Sequence, residues 1–224
     1  MILCIAEVLS SDQLARIRKQ LSTCRFQDGK DTAGWHARLV KHNEQVAPRE
    51  PEIQALKHEI EQNLGRHSLF QIAARPKRLS PILFSRYREG MTYGNHVDDP
   101  VMGRSGERLR SDLSFTLFLS GEDDYDGGEL VMDTSAGEQS YKLPAGAMIL
   151  YPSSTLHRVE PVTRGERLVA VGWVQSLIRD PLQREILFDL DTARRQLFEQ
   201  QGKTREFDLL SKSLANLQRL WVEL

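Results

Sequence analysis

The chain has 224 residues, 40% of them hydrophobic, and a formal net charge of −1. That length supports one core-bearing domain with an appendage, and the near-neutral charge gives neither nucleic acid nor an anionic membrane a general electrostatic hold. No apolar run approaches the roughly twenty residues needed to span a bilayer.

The first nine residues, Met1-Ile-Leu-Cys-Ile-Ala-Glu-Val-Leu9, are apolar but lack a basic lead and are interrupted by an acid. They read as a first strand and not as a signal peptide. Cys4 and Cys24 have neither CxxC nor metal-type spacing and are expected to be small, buried or half-buried side chains. Nothing calls for an oxidising compartment, so a cytoplasmic location is expected. Ser10 and Gln13 have capping-box spacing ahead of a helix that carries Leu14, Ile17 and Leu21 on one face. Residues 25–47 are polar and irregular, reading as loop and short strand. Pro51 opens a second helix, with Ile53, Leu56, Ile60 and Leu64 at helical spacing up to Gly65.

From about residue 69 the texture changes to short runs of β-branched and aromatic residues bounded by Gly, Pro, Asp or Ser: 79–88, 112–120, 128–133, 139–143, 147–151, 156–160 and 167–176. Several short strands with turns between them predict a sandwich, jelly roll or barrel. After Arg179 the period returns to helical. Leu182, Ile186, Leu190, Ala193 and Leu197 form one stripe, ended by Gly202. Phe207, Leu210, Leu214, Leu217, Trp221 and Leu224 form a second. The expected class is α+β. Residues 1–178 make the main domain, with N-terminal helices in 1–68 and a β core in 69–178, and 179–224 make a C-terminal helical hairpin.

Chemistry concentrates at the ends of the β-core strands. His96-Val97-Asp98 follows the strand-like run 82–88 in a turn-rich stretch containing Gly90 and Gly94. A histidine and a carboxylate two apart on extended chain point the same way, so both can reach one metal. His157 lies between two later strand-like runs. Two imidazoles and one carboxylate on one face of an octahedral ion leave three positions open, the ligand set of facial-triad Fe(II) oxygenases. Arg167, ten residues on, suits the far carboxylate of a dicarboxylic co-substrate, because a guanidinium binds carboxylate with two parallel hydrogen bonds at any working pH. His36, His42, His58 and His67 have no partner at ligand spacing and are read as ordinary core or surface residues. The combination of order and spacing carries the signal: HxD, about sixty residues of short strands, His, then Arg.

The stretch from Tyr87 to Asp98, Tyr87-Arg-Glu-Gly90-Met-Thr-Tyr93-Gly-Asn-His96-Val-Asp98, resembles the YxxGxxYxxHxD signature of the prolyl-4-hydroxylase-like 2-oxoglutarate dioxygenases. Asp126-Gly127-Gly128-Glu129-Leu130 is similar to the GGxL turn leading into a middle strand of that superfamily. Leu156-His157-Arg158-Val159-Glu160-Pro161-Val162 and Gly165-Glu166-Arg167 resemble its distal histidine and co-substrate arginine. Asp28-Gly29, Thr32-Ala33-Gly34 and Val40-Lys41-x-Asn43-x-Gln45 resemble, more narrowly, the N-terminal block of the bacterial PKHD-type hydroxylases.

The resemblance implies a distorted double-stranded β-helix with Fe(II) held by His96, Asp98 and His157 at one mouth. It also implies 2-oxoglutarate and O2 as co-substrates, with Arg167 on the 2-oxoglutarate carboxylate and Tyr87 close to that co-substrate. The products would be succinate, CO2 and a hydroxylated substrate. L-ascorbate as reductant and a link to iron homeostasis follow from the family alone. Related halogenases replace the triad carboxylate, so Asp98 favours hydroxylation.

The competing reading is a non-catalytic jelly-roll module that binds or senses iron and needs no arginine anchor. A cupin-type hydrolase or isomerase, which usually wants more histidines, ranks last. Peptidyl proline, a free amino acid and a siderophore-like small molecule all stay open as substrate. The loop 99–110 has the glycines and mixed charge of a lid. The apolar stripe of the last helix is expected to fold back on the chain's own core. The sharper alternative shares it between two copies in a symmetric dimer.

Overall fold

In the computed structural model, which describes residues 1–47, 51–103 and 108–224, the apolar N-terminus is a strand, β1 (Leu3–Ile5). The first helix, α1 (Ser11–Thr23), starts at the expected capping box: Ser10 Oγ accepts from the Gln13 backbone N–H and the Gln13 side chain accepts from that of Ser10. Two partners thus satisfy orphan amides of the first turn, and Ile17 and Leu21 are buried.

The polar stretch that follows is more ordered than its composition predicts. It holds β2 (Phe26–Asp28), two 3-10 turns (Gly29–Thr32 and Ala37–Leu39), β3 (Lys41–His42) and β4 (Glu44–Val46). The second helix, α2 (Pro51–Arg66), buries Ile53, Leu56, Ile60 and Leu64 as their spacing requires.

A third helix, α3 (Ser68–Ala74), occupies the start of what reads as β texture. The His67 imidazole caps it by accepting from Phe70 N–H, and Phe70, Ile72, Ala73 and Ala74 are buried. Tertiary burial decides the conformation of this seven-residue run against its mixed propensity. The N-terminal part is also more than helices, since β1, β2 and β4 all belong to the larger sheet.

The remaining strands are β5 (Pro76–Leu79), β6 (Leu83–Arg88), β7 (Thr92–His96), β8 (Val101–Met102), β9 (Leu109–Arg110), β10 (Leu113–Phe118), β11 (Tyr125–Gly127), β12 (Leu130–Thr134), β13 (Gly137–Tyr141), β14 (Met148–Pro152), β15 (His157–Val159) and β16 (Val162–Ser176). The run expected at 79–88 is split near Pro81, which has no N–H to give a ladder. The turn-rich stretch before Asp98 is itself the strand β7. A Cβ on Gly94 would meet Val40 Cβ at 2.9 Å, so glycine there admits the neighbouring chain.

All pairings are antiparallel. The larger sheet has the order β1-β14-β10-β16-β6-β4-β2, with β5 and β11 also on β16. The smaller has the order β13-β12-β15-β7-β3. Two such sheets, with five helices about them, make the expected α+β jelly roll. The main core, with Phe84, Phe115, Leu117 and Ala170, joins the larger sheet to α1, α2 and α3. A second core lies around Tyr87, Phe118, Tyr125, Met132, Tyr151 and Val169.

The C-terminal helices α4 (Pro181–Gln201) and α5 (Arg205–Trp221) pack on each other around Ile178, Leu187 and Leu214. Gly202 ends α4 as expected. Phe188 reaches the main core, and Arg75 donates to the Leu187 carbonyl at 3.2 Å, so the hairpin folds back on its own chain. Of the α5 stripe only Leu214 is buried; Leu217 and Trp221 are half-buried and Leu224 is exposed. Cys4 is exposed, not buried, and Cys24 is half-buried. The expected lid lies partly outside the described residues; its described flanks β8 and β9 pair with each other. No helix among the described residues is long and apolar enough to cross a membrane.

Candidate active site

His157 and His96 face each other as a direct pair in the β15–β7 ladder, and their ring centroids are 4.2 Å apart. The chain just past β7 brings Asp98 to the same point. One ligand atom from each of His96, Asp98 and His157 lies within 4.8 Å of the others, and no second such cluster occurs among the described residues. The other four histidines stay away from it. His67 caps α3, His58 is beside Gln62 on α2, and His36 lies edge-on to Trp35.

Each imidazole is fixed through its other nitrogen. His96 Nδ1 lies 2.8 Å from the Gly94 carbonyl and His157 Nδ1 2.9 Å from that of Thr155. A carbonyl can only accept, so both Nδ1 atoms carry the proton and both Nε2 atoms keep a lone pair for a metal. Burial, reinforced by His157 alongside, holds the His96 imidazole down at about 4, so it is neutral near pH 7. Asp98 Oδ2 accepts from Ser114 Oγ at 2.6 Å, and Ser114 Oγ is in turn 2.7 Å from Ser153 Oγ. Tyr93 stacks on His96 with centroids 3.6 Å apart, and Tyr151 Oη lies 3.4 Å from His157 Nε2. This donor set fits a divalent ion that prefers imidazole and carboxylate.

Arg167 sits on β16 directly opposite Tyr87 of β6. It is 1% exposed, its guanidinium carbon lies 5.0 Å from the Tyr87 ring centroid and 5.5 Å from that of Phe118, and its Nε has no hydrogen-bond partner. No carboxylate of the described residues pairs with it. Tyr125 belongs to the same core, its buried hydroxyl interacting with Arg167. Gly128 (φ +67) makes room here, for a Cβ on it would meet Arg167 Cδ and Tyr125 Cε2 at 3.1 Å each. A buried guanidinium favours an anionic partner.

His96, Asp98 and Tyr87 open onto a cavity of about 790 Å³, within the range of small-molecule sites. Of the residues singled out in the sequence, the structure brings His96, Asp98 and His157 together and sets Arg167 opposite Tyr87. Sequence reasoning missed Ser114 and Tyr151 beside the cluster and Tyr125 beside Arg167, which come from strands far apart in sequence and leave no local signature.

The family model described as the 2OG-Fe(II) oxygenase superfamily matches residues 82–175, the stretch that holds all three clustered residues and Arg167. The fold is shared with a Pseudomonas putida prolyl-4-hydroxylase (TM-score 0.51, 21% identity, 78% of this chain and 92% of that one). It is shared also with HygX of Streptomyces hygroscopicus, solved with nickel and 2-oxoglutarate bound (TM-score 0.56, 13% identity, 79% and 84%). A PKHD-type hydroxylase of Synechococcus sp. is 58% identical over the full length of both chains, and one of Acaryochloris marina is 57% identical, also over the full length of both. The chain belongs to the PKHD-type hydroxylases. It is thus an Fe(II)- and 2-oxoglutarate-dependent dioxygenase.

Proposed function

We propose that His96, Asp98 and His157 hold the Fe(II), that Arg167 anchors the C5 carboxylate of 2-oxoglutarate, and that the prime substrate is hydroxylated in the adjoining cavity. The observation that carries this reading is Arg167: fully buried, with an unmet Nε and no carboxylate partner among the described residues. Bound Fe(II) would supply the oxidative chemistry, in which O2 and 2-oxoglutarate become succinate, CO2 and an oxygen atom inserted into a substrate C–H bond.

The chain's own residues do the positioning. Gly94 and Thr155 carbonyls orient the two imidazoles, and the Ser114 hydroxyl holds Asp98 Oδ2, which lies 4.0 Å from His157 Nε2. Tyr87, at the rung of Arg167, covers the guanidinium face and shields it from water. That low-dielectric setting strengthens a bidentate carboxylate contact. A metal-only iron sensor would have no use for a buried guanidinium. L-ascorbate as reductant and a link to iron homeostasis rest on the family resemblance and form part of the same proposal.

Thermal denaturation tests it. Mn(II) together with N-oxalylglycine, an unreactive analogue of 2-oxoglutarate, should raise Tm well beyond Mn(II) alone, since a ligand at about 100 times its Kd adds about 2.7 kcal/mol. Stabilisation by metal alone, with no further effect of the analogue, would support the sensor instead. Succinate release over peptidyl proline, free amino acids and siderophore-like molecules, with and without ascorbate, addresses substrate and reductant.

A further inference from the structure

Within the block Val40-Lys41-x-Asn43-x-Gln45, Lys41, Asn43 and Gln45 form part of one wall of the cavity. The path of the block explains why. β3 pairs with β7 of the smaller sheet, and β4 pairs with β6 of the larger, so residues 41–46 cross from one sheet to the other. Lys41, Asn43 and Gln45 alternate along this crossing, and all three are buried and line the cavity.

The Gln45 amide is engaged at both ends: its Oε1 accepts from Thr32 Oγ1 at 2.6 Å and its Nε2 donates to Ser85 Oγ at 3.1 Å. Lys41 is different. It is 5% exposed, its ammonium donates to Thr32 Oγ1 at 3.0 Å, and it lies 5.1 Å from the centroid of Tyr93, the ring stacked on His96. No carboxylate of the described residues is within salt-bridge distance of it. An ammonium has three donors, so one hydrogen bond and one ring face leave it under-satisfied.

On the site reading given above, Asp98 and the two carboxylates of 2-oxoglutarate face the metal and Arg167; Asp31 and Asp99 also line the cavity, yet no carboxylate of the described residues pairs directly with Lys41. Burial pulls its ammonium down to about 8 against the opposing attraction of Asp98 and Asp28, neither of which pairs with it directly. The cavity is also lined by Pro81, Leu83, Phe115, Val171 and Trp173. Exposed Trp35, Leu39 and Val101 lie within a few residues of other lining positions.

We propose that Lys41 anchors an acidic group of the prime substrate, and that this substrate is an organic acid whose apolar body lies against Leu83, Phe115, Val171 and Trp173. Lys41 then sets specificity from a position one aromatic ring away from a metal ligand. Arg167 and Lys41 divide the work, the first taking the co-substrate's far carboxylate and the second that of the substrate.

The probe is 3-phenylpropionate against its neutral amide, titrated calorimetrically into the full chain loaded with Mn(II) and N-oxalylglycine. The acid should bind roughly tenfold or more tightly than the amide, the worth of a charge-assisted hydrogen bond. Lys41→Met should abolish that preference and leave N-oxalylglycine affinity within about twofold, while Lys41→Arg should retain part of it. A wild-type protein that does not distinguish acid from amide overturns the proposal, whatever the variants do. So does a Lys41→Met protein that keeps the preference, or one that loses N-oxalylglycine as Arg167→Gln does, which would place Lys41 in the co-substrate pocket. Failure of N-oxalylglycine to bind the wild-type protein, or its unchanged binding to Arg167→Gln, counts against the site reading and not against Lys41 alone.

Discussion

Gly128 lies against the side chain of Arg167: a Cβ there would come within 3.1 Å of Arg167 Cδ and 2.9 Å of Val162 Cγ2. The position also has φ +67, where an L-residue is strained by about 1–2 kcal/mol. Gly128→Ala should therefore lower Tm and, by displacing the guanidinium, raise the KM for 2-oxoglutarate severalfold with little change in metal affinity. Initial-rate kinetics and metal titration check both. An unchanged KM would mean that Arg167 does not depend on this turn for its position.

Arg167→Lys should weaken 2-oxoglutarate by about 1.5–3 kcal/mol, roughly 10- to 150-fold, because an ammonium cannot reproduce a bidentate fork. Iron binding should be almost untouched. If the KM stays at the wild-type value, the anchor lies elsewhere; Arg164, which is exposed and paired with Asp126, is then the next residue to replace.

Replacing His96, Asp98 or His157 with Ala should each abolish succinate release and lower bound iron while circular dichroism stays native. Most of the core packing lies in residues other than these. A variant that consumes 2-oxoglutarate at the wild-type rate at matched iron removes that residue from the ligand set.

Ser114→Ala removes the hydroxyl that holds Asp98 Oδ2 at 2.6 Å. Losing such an outer partner typically costs 10- to 100-fold in metal affinity or activity. The expected result is weaker iron binding with an unchanged KM for 2-oxoglutarate at saturating metal. Equal iron affinity in variant and wild type would make Ser114 a packing residue only.

Leu217 and Trp221 pack against Ile178, Leu187 and Leu214 within the hairpin. Replacing both by polar residues should cost about 1.5–3 kcal/mol in all, since full burial is worth about that much per side chain and both are half-buried. If the stripe serves only its own chain, Tm falls and the mass measured by light scattering is unchanged. A loss of mass with the fold retained would instead support the symmetric dimer.

Local chemistry made much of this protein readable from the chain alone. The capping box at Ser10 and Gln13, the apolar spacing of α2 and the stop at Gly202 are set by neighbours within a turn or two, so they are visible without tertiary context. The same holds for His96 and Asp98, whose two-residue spacing already puts both side chains on one side of extended chain. Only the tertiary structure decided the rest. His157 meets His96 because β15 pairs with β7 in that register, and Ser114 meets Asp98 because β10 passes behind the site. Lys41 enters the cavity because the six residues 41–46 change sheets, and α3 forms where burial decides a run of mixed propensity. The physical reason is common to all four. Strand pairing and burial join residues distant in sequence, and the free energy that selects a register comes from the whole packed face, which no local window contains.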